Sequence, residues 1–198
     1  LKISSLLLTK IGLATLSFAQ PLPYPANPDI QEIVEQINAD SILAYVTRLQ
    51  EFHTRHTYSD TASQTVGIGA ALRWVESKVE SYDTSGTLEF EWFPWTIGQT
   101  RHDLIAHKSG GAEQRGRYII GGHIDSRNAN GNDNMGFAPG ANDNASSCAG
   151  FLEMARLFST VDFDHDLEII WFTGEEQGLL GSAAYANFLD NNDERVEA

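Results

Sequence analysis

The sequence predicts an α/β fold built on a mixed β-sheet. Segments with helical apolar spacing alternate with short apolar strands. One of those strands, Leu167–Thr173, is a nearly continuous apolar run, the pattern of a strand covered on both faces. A chain of 198 residues, 41% hydrophobic and 20% charged, is long enough to bury one core.

In chain order, residues 1–19 read as a secretory leader. Lys2 and Lys10 are positive, Ile11 to Phe18 is a short apolar stretch, and Ser17-Phe18-Ala19 offers small residues around a cleavage point. Residues 20–29 read as a Pro-rich linker, with Pro21, Pro23, Pro25 and Pro28 holding the chain extended. The domain proper is 30–198.

Ile30, Ile33, Val34 and Ile37, then Ile42, Leu43, Tyr45, Val46 and Leu49, follow helical spacing. A break falls near 38–41, where Asp40 or Ser41 is placed to cap a second helix. Gly69–Val79 predicts another amphipathic helix. Leu88, Phe90 and Trp92 alternate with glutamates, a half-buried strand ending at Pro94. Asp103–Lys108 and Arg117–Gly122 predict two strands across a Ser109-Gly110-Gly111 turn.

Residues 126–143 are Asn/Gly-rich and aperiodic, and a loop that long inside a compact region is usually functional. Ala145–Phe158 returns to helical period, and Leu179–Leu189 predicts the last helix. The polar tail after Asn191 predicts no terminal strand. Trp74, Trp92, Trp95 and Trp171 read as core, and Cys148 as a small hydrophobe on a helix face. His53 and His56 receive no role.

The net charge is −14, which argues against nucleic acid and anionic membrane as partners. One cysteine excludes an intramolecular disulfide and a CxxC metal site. No Gly-x-Ser-x-Gly string supports a serine nucleophile. Asn130, Asn132 and Asn134 alternate, but the spacing to Gly136 and Ala141 does not make an EF-hand.

Three motifs concentrate chemistry: Gly121-Gly122-His123-Ile124-Asp125-Ser126, Gly140-Ala141-Asn142-Asp143-Asn144-Ala145, and Gly174-Glu175-Glu176-Gln177-Gly178. Taken singly, each has an ordinary structural explanation: a hydrogen-bonded His, a helix-capping Asp, a solvated Glu pair. Taken together they fall at strand exits, where α/β sheets bind ligands. Imidazole and carboxylates suit zinc, and one carboxylate can bridge two metals. Of two adjacent glutamates, one can ligate while the other takes a proton.

The trio resembles the co-catalytic zinc aminopeptidase family, of the secreted bacterial leucyl aminopeptidase type, from about Ile30 to Leu189. The resemblance implies a three-layer α/β/α fold and two Zn2+ ions. His123 and Glu176 would each bind one metal and Asp143 would bridge them. Glu175 would be the general base, and Asp125 would support His123. The substrate would be the N-terminus of a peptide or protein, the location secreted or periplasmic, with no membrane contact after leader cleavage. The oligomeric state is left open.

Asn142 and Ser147 stand where the family often has Asp and Gly. The family also takes a further Asp from the next strand and a later His, and neither is matched in the 22 residues after Glu176. The resemblance therefore predicts an N-terminal part of such an enzyme, truncated at the C-terminus, with little or no activity alone. Two alternatives on the same fold are a single-zinc glutaminyl-cyclase-like acyl transferase and a non-catalytic extracellular binding domain.

Overall fold

The computed structural model describes residues 27–112 and 116–198. The predicted leader and most of the predicted linker lie outside the described residues. Pro28 and Asp29, assigned to that linker, instead open helix α1 (Pro28–Glu35), since proline is accommodated in a first turn where its missing N–H has no partner to lose. This helix belongs to a unit ending at Glu35. The rest of the chain, from Gln36, is the second unit.

In that unit, helices α2 (Ala39–Gln50), α3 (Gly67–Glu80), α4 (Ser146–Phe158) and α5 (Leu180–Asn191) accompany strands β1 (Leu88–Ile97), β2 (Gln99–Lys108), β3 (Arg117–His123) and β4 (Asp166–Phe172). Asn38 caps α2, accepting from the Ser41 amide at 2.9 Å, so the predicted cap falls two or three residues late.

The strand order is β1-β2-β4-β3, with β1–β2 and β2–β4 antiparallel and β3–β4 parallel. The sheet is mixed, as predicted, but β2 and β3 are not neighbours: β4 lies between them. The hairpin is β1–β2. β1 continues through Pro94, opposite His102, because β1 is an edge strand where a missing N–H is tolerated.

Strand alternation sorts the core onto two faces. Leu104, Ala106, Ile169 and Trp171 pack with Leu49 of α2, Val75 of α3 and Leu152 of α4. Ile105 and Ile170 point the other way, onto Tyr185 and Leu189 of α5. The result is three layers, helix–sheet–helix. Glu168 interrupts the β4 run on the α5 face. It is buried, accepts from the Tyr185 hydroxyl at 2.6 Å and pairs with Arg117 at 3.2 Å.

Trp171 and Trp95 are core, and Cys148 is buried with its thiol 3.2 Å from the His123 carbonyl oxygen and its pKa pushed to about 12 by burial. The tail is not free of pairing. The Arg117 amide donates to Arg195 O, Glu197 N to Arg117 O, and Ile119 N to Ala198 O, running parallel along the outer edge of β3. No apolar alternation announces this contact, since it is made by backbone groups. Among the described residues, no helix is long and apolar enough to cross a membrane.

Candidate metal centre

Parallel pairing of β3 and β4 sets His123 opposite Phe172, so the two strands end side by side. The loops leaving them carry His123–Ser126 and Thr173–Gln177. The third motif enters through the turn Ala141–Ala145, where Asp143 and Asn144 depart from helical geometry and their peptide bond is cis. Gly140 before it has φ +46, and a Cβ there would lie 2.6 Å from both Asp143 O and Ser126 Cβ.

His123 Nε2 lies 3.1 Å from Asp143 Oδ1 and 3.8 Å from Glu175 Oε2. Donors sharing a tetrahedral zinc at about 2.0–2.2 Å stand roughly 3.3–3.6 Å apart, so these pairs suit zinc in donor type, with separations just below and just above that spacing. Among the described residues, however, no three His, Cys, Asp or Glu side chains form a ready metal-holding group. The Glu176 carboxylate is largely buried and is turned onto Arg127, with Nε at 2.7 Å. Burial raises the Glu176 pKa; Asp143 and Asp125 add to the rise, while Arg127 and His123 oppose it.

Asp125 is fully buried. Its carboxylate accepts from the Glu175 amide at 3.3 Å, the Glu176 amide at 3.1 Å and the Thr57 hydroxyl at 2.9 Å. It lies 3.6 Å from His123 Nδ1, while its own carbonyl oxygen is nearer, at 3.1 Å. Asp125 thus anchors the Glu-Glu turn by hydrogen bonds and also holds His123, through both its carboxylate and its carbonyl oxygen. Burial alone would lower the His123 pKa, but Asp125 and then Glu175 outweigh it and lift the value to about 9.

The motifs converge. Glu175 stands within ion-pair reach of His123 Nε2, Glu176 is held by Arg127, and Asp143 is largely solvent-exposed. Several residues of the surroundings have no sequence signature. Arg55 is fully buried, and its guanidinium donates to the carbonyls of Ile124, Leu49, Pro139 and Gly140 at 2.8–3.0 Å. It therefore ties the exit of β3 to the loop that delivers Asp143. Thr57 also accepts from the Gly174 amide at 3.0 Å. His56 reaches Gly131 O at 3.1 Å, and the Asn134 amide donates to Tyr58 O at 2.8 Å, so the 53–58 segment pins the Asn-rich loop. Only the position of Arg127, immediately after the first motif, could have flagged it.

The fold is that of solved aminopeptidases. It superposes on the Legionella pneumophila LapA aminopeptidase with TM-score 0.69 at 22% identity, covering 91% of this chain and 47% of that one. Residues 103–198 match the profile of peptidase family M28. A probable zinc metalloprotease of Pyrenophora teres f. teres is 36% identical over 179 residues, covering 82% of this chain and 38% of the relative. Leucine aminopeptidase 1 of Trichophyton equinum is 28% identical over 191 residues, covering 88% and 48%. The chain is thus similar to peptidase family M28 and to fungal zinc metalloproteases. Both sequence relatives are fungal, so a bacterial type is not what they indicate. The chain spans less than half the length of each.

Proposed function

We infer that this chain forms the metal-holding core of a secreted zinc-dependent peptidase that removes N-terminal residues from peptides. The observation that carries the reading is the meeting of His123, Asp143 and the Glu175–Glu176 turn at the carboxyl ends of β3 and β4. The names of the relatives support zinc and peptide hydrolysis; the two-metal site and the exopeptidase specificity rest on the resemblance carried by the motif trio.

His123, Asp143 and Glu176 would hold the zinc. Bound zinc would supply Lewis-acid polarisation of the scissile carbonyl and acidify water. Glu175, partly exposed beside His123, takes a proton from the attacking water and returns it to the leaving amine. Asp125, held by Thr57, keeps both glutamate amides in place. Glu176 must leave Arg127 to become a ligand.

The test is zinc binding by the purified chain, followed by hydrolysis of an aminoacyl anilide. The expected result is zinc retention that is lost in His123→Ala and Asp143→Asn but kept in Glu175→Gln, with any hydrolysis abolished in Glu175→Gln. Zinc retention unchanged by His123→Ala would overturn the assignment. A stoichiometry of one, with cyclisation of N-terminal glutamine, would replace it with the acyl-transfer alternative.

A further inference from the structure

A cavity of about 290 Å3 lies between α3 and strands β1 and β2. Its charged lining is Arg73 and Arg101; His102, Trp92, Leu72 and Thr173 complete much of the wall, and no carboxylate lines it. In a chain of net charge −14 this is an unusual place for two cations.

Neither guanidinium forms an ion pair among the described residues. Arg101 is 9% exposed and donates only to neutral oxygens: Thr57 O at 2.7 Å, Thr100 O at 2.9 Å and Gln99 Oε1 at 2.6 Å. Arg73 donates to Thr61 O at 2.9 Å and to Ser63 O, while its Nε is buried with no acceptor. The nearby acids are engaged elsewhere. Glu76 accepts from the Trp92 indole at 2.8 Å, and Asp60 from the amides of Ala62 and Ser63. Each guanidinium carries five N–H donors in a planar fork, so both retain donors. Asp60 also faces Arg73 through charge, but Arg101 is buried without an ion pair, which is costly, and a guanidinium fork is matched best by a carboxylate or phosphate. The volume approaches the lower end of small-ligand sites, about 300 Å3, and far exceeds the roughly 30 Å3 share of one water.

We propose that this cavity is a binding site for a compact oxyanion, phosphate or carboxylate, held by Arg73 and Arg101 with His102 as a further polar contact. The site is separate from the candidate metal ligands and does not depend on the peptidase reading. It adjoins their support: Arg101 grips Thr57 O, and Thr57 holds Asp125.

The experiment titrates the chain with sodium phosphate and, in parallel, with sodium acetate, at constant ionic strength set with chloride. Thermal unfolding and the indole resonance of Trp92 are followed. A saturable rise in Tm and a saturable Trp92 shift are expected for at least one oxyanion; phosphate alone, acetate alone or both identifies which. Arg73→Gln should weaken that affinity by about tenfold or more. Thr100→Trp, at an exposed rim position, should block entry while leaving the core intact. No saturable response in the wild-type chain, or a response unchanged in both variants, would overturn the proposal.

Discussion

Asp103 offers the sharpest test of the packing behind the candidate centre. It is fully buried on β2. Its Oδ1 accepts from the Thr173 amide at 2.7 Å, the Thr173 hydroxyl at 3.0 Å and the Trp95 indole at 3.1 Å, while Oδ2 has no partner. Burial lifts its pKa to about 7; the hydrogen bonds to Oδ1 oppose that rise without cancelling it. A proton on Oδ2 removes the cost of an uncompensated buried charge. The folded state therefore holds this proton more tightly than the unfolded chain does, where the value is 3.8. The associated stability is complete below about pH 4 and is lost as pH rises through 7. At 1.36 kcal/mol per pH unit, the full span is on the order of 4 kcal/mol.

Asp103→Asn keeps an acceptor at Oδ1 and cannot ionise. Denaturant unfolding of both proteins from pH 4 to pH 8 isolates the group, because other titrations largely cancel in the difference. The wild-type chain should lose roughly 2–3 kcal/mol relative to the variant between pH 5 and pH 7. A difference that stays flat over that interval would refute the reasoning.

Two further perturbations read the same architecture. Arg55→Lys keeps the charge but not the fork that reaches four carbonyls, and should cost about 2–4 kcal/mol in urea unfolding; a loss under about 0.5 kcal/mol would show that Arg55 is not the tie described. Gly181→Ala places a Cβ 2.3 Å from Asp103 Oδ1 and 2.4 Å from Thr173 O, and should lower stability by about 2 kcal/mol, read as a Tm drop of roughly 4–8 °C. Gly150→Ala on α4 meets nothing within 4 Å and should be neutral or raise stability by up to about 1 kcal/mol; equal losses at the two sites would contradict the packing.

Local pattern carried most of the element reading. The α4 and β4 spans were legible because an apolar stripe at helical spacing and a two-sided apolar run each have one stable burial. Pro94 reads as a strand end from the sequence because a single sequence does not tell an edge strand from an interior one. The tail beside β3 was invisible for a related reason: backbone hydrogen bonds leave no trace in side-chain pattern. The three motifs were legible because acids and a histidine at strand exits are chemically conspicuous. Arg55, Thr57 and Arg127 were not, since a buried polar residue follows no period and its role depends on which loops come near it.

The amino-acid order by itself determined the class of the fold, the residues that face its core, and the polar groups available for chemistry, because burial and hydrogen bonding act on local pattern. Only the tertiary structure decided that β4 separates β2 from β3, that Glu175 and not Glu176 faces His123, and that Arg73 and Arg101 share a cavity without a carboxylate. Those outcomes depend on contacts between segments distant in sequence, whose register and side-chain direction are set by packing the whole chain at once.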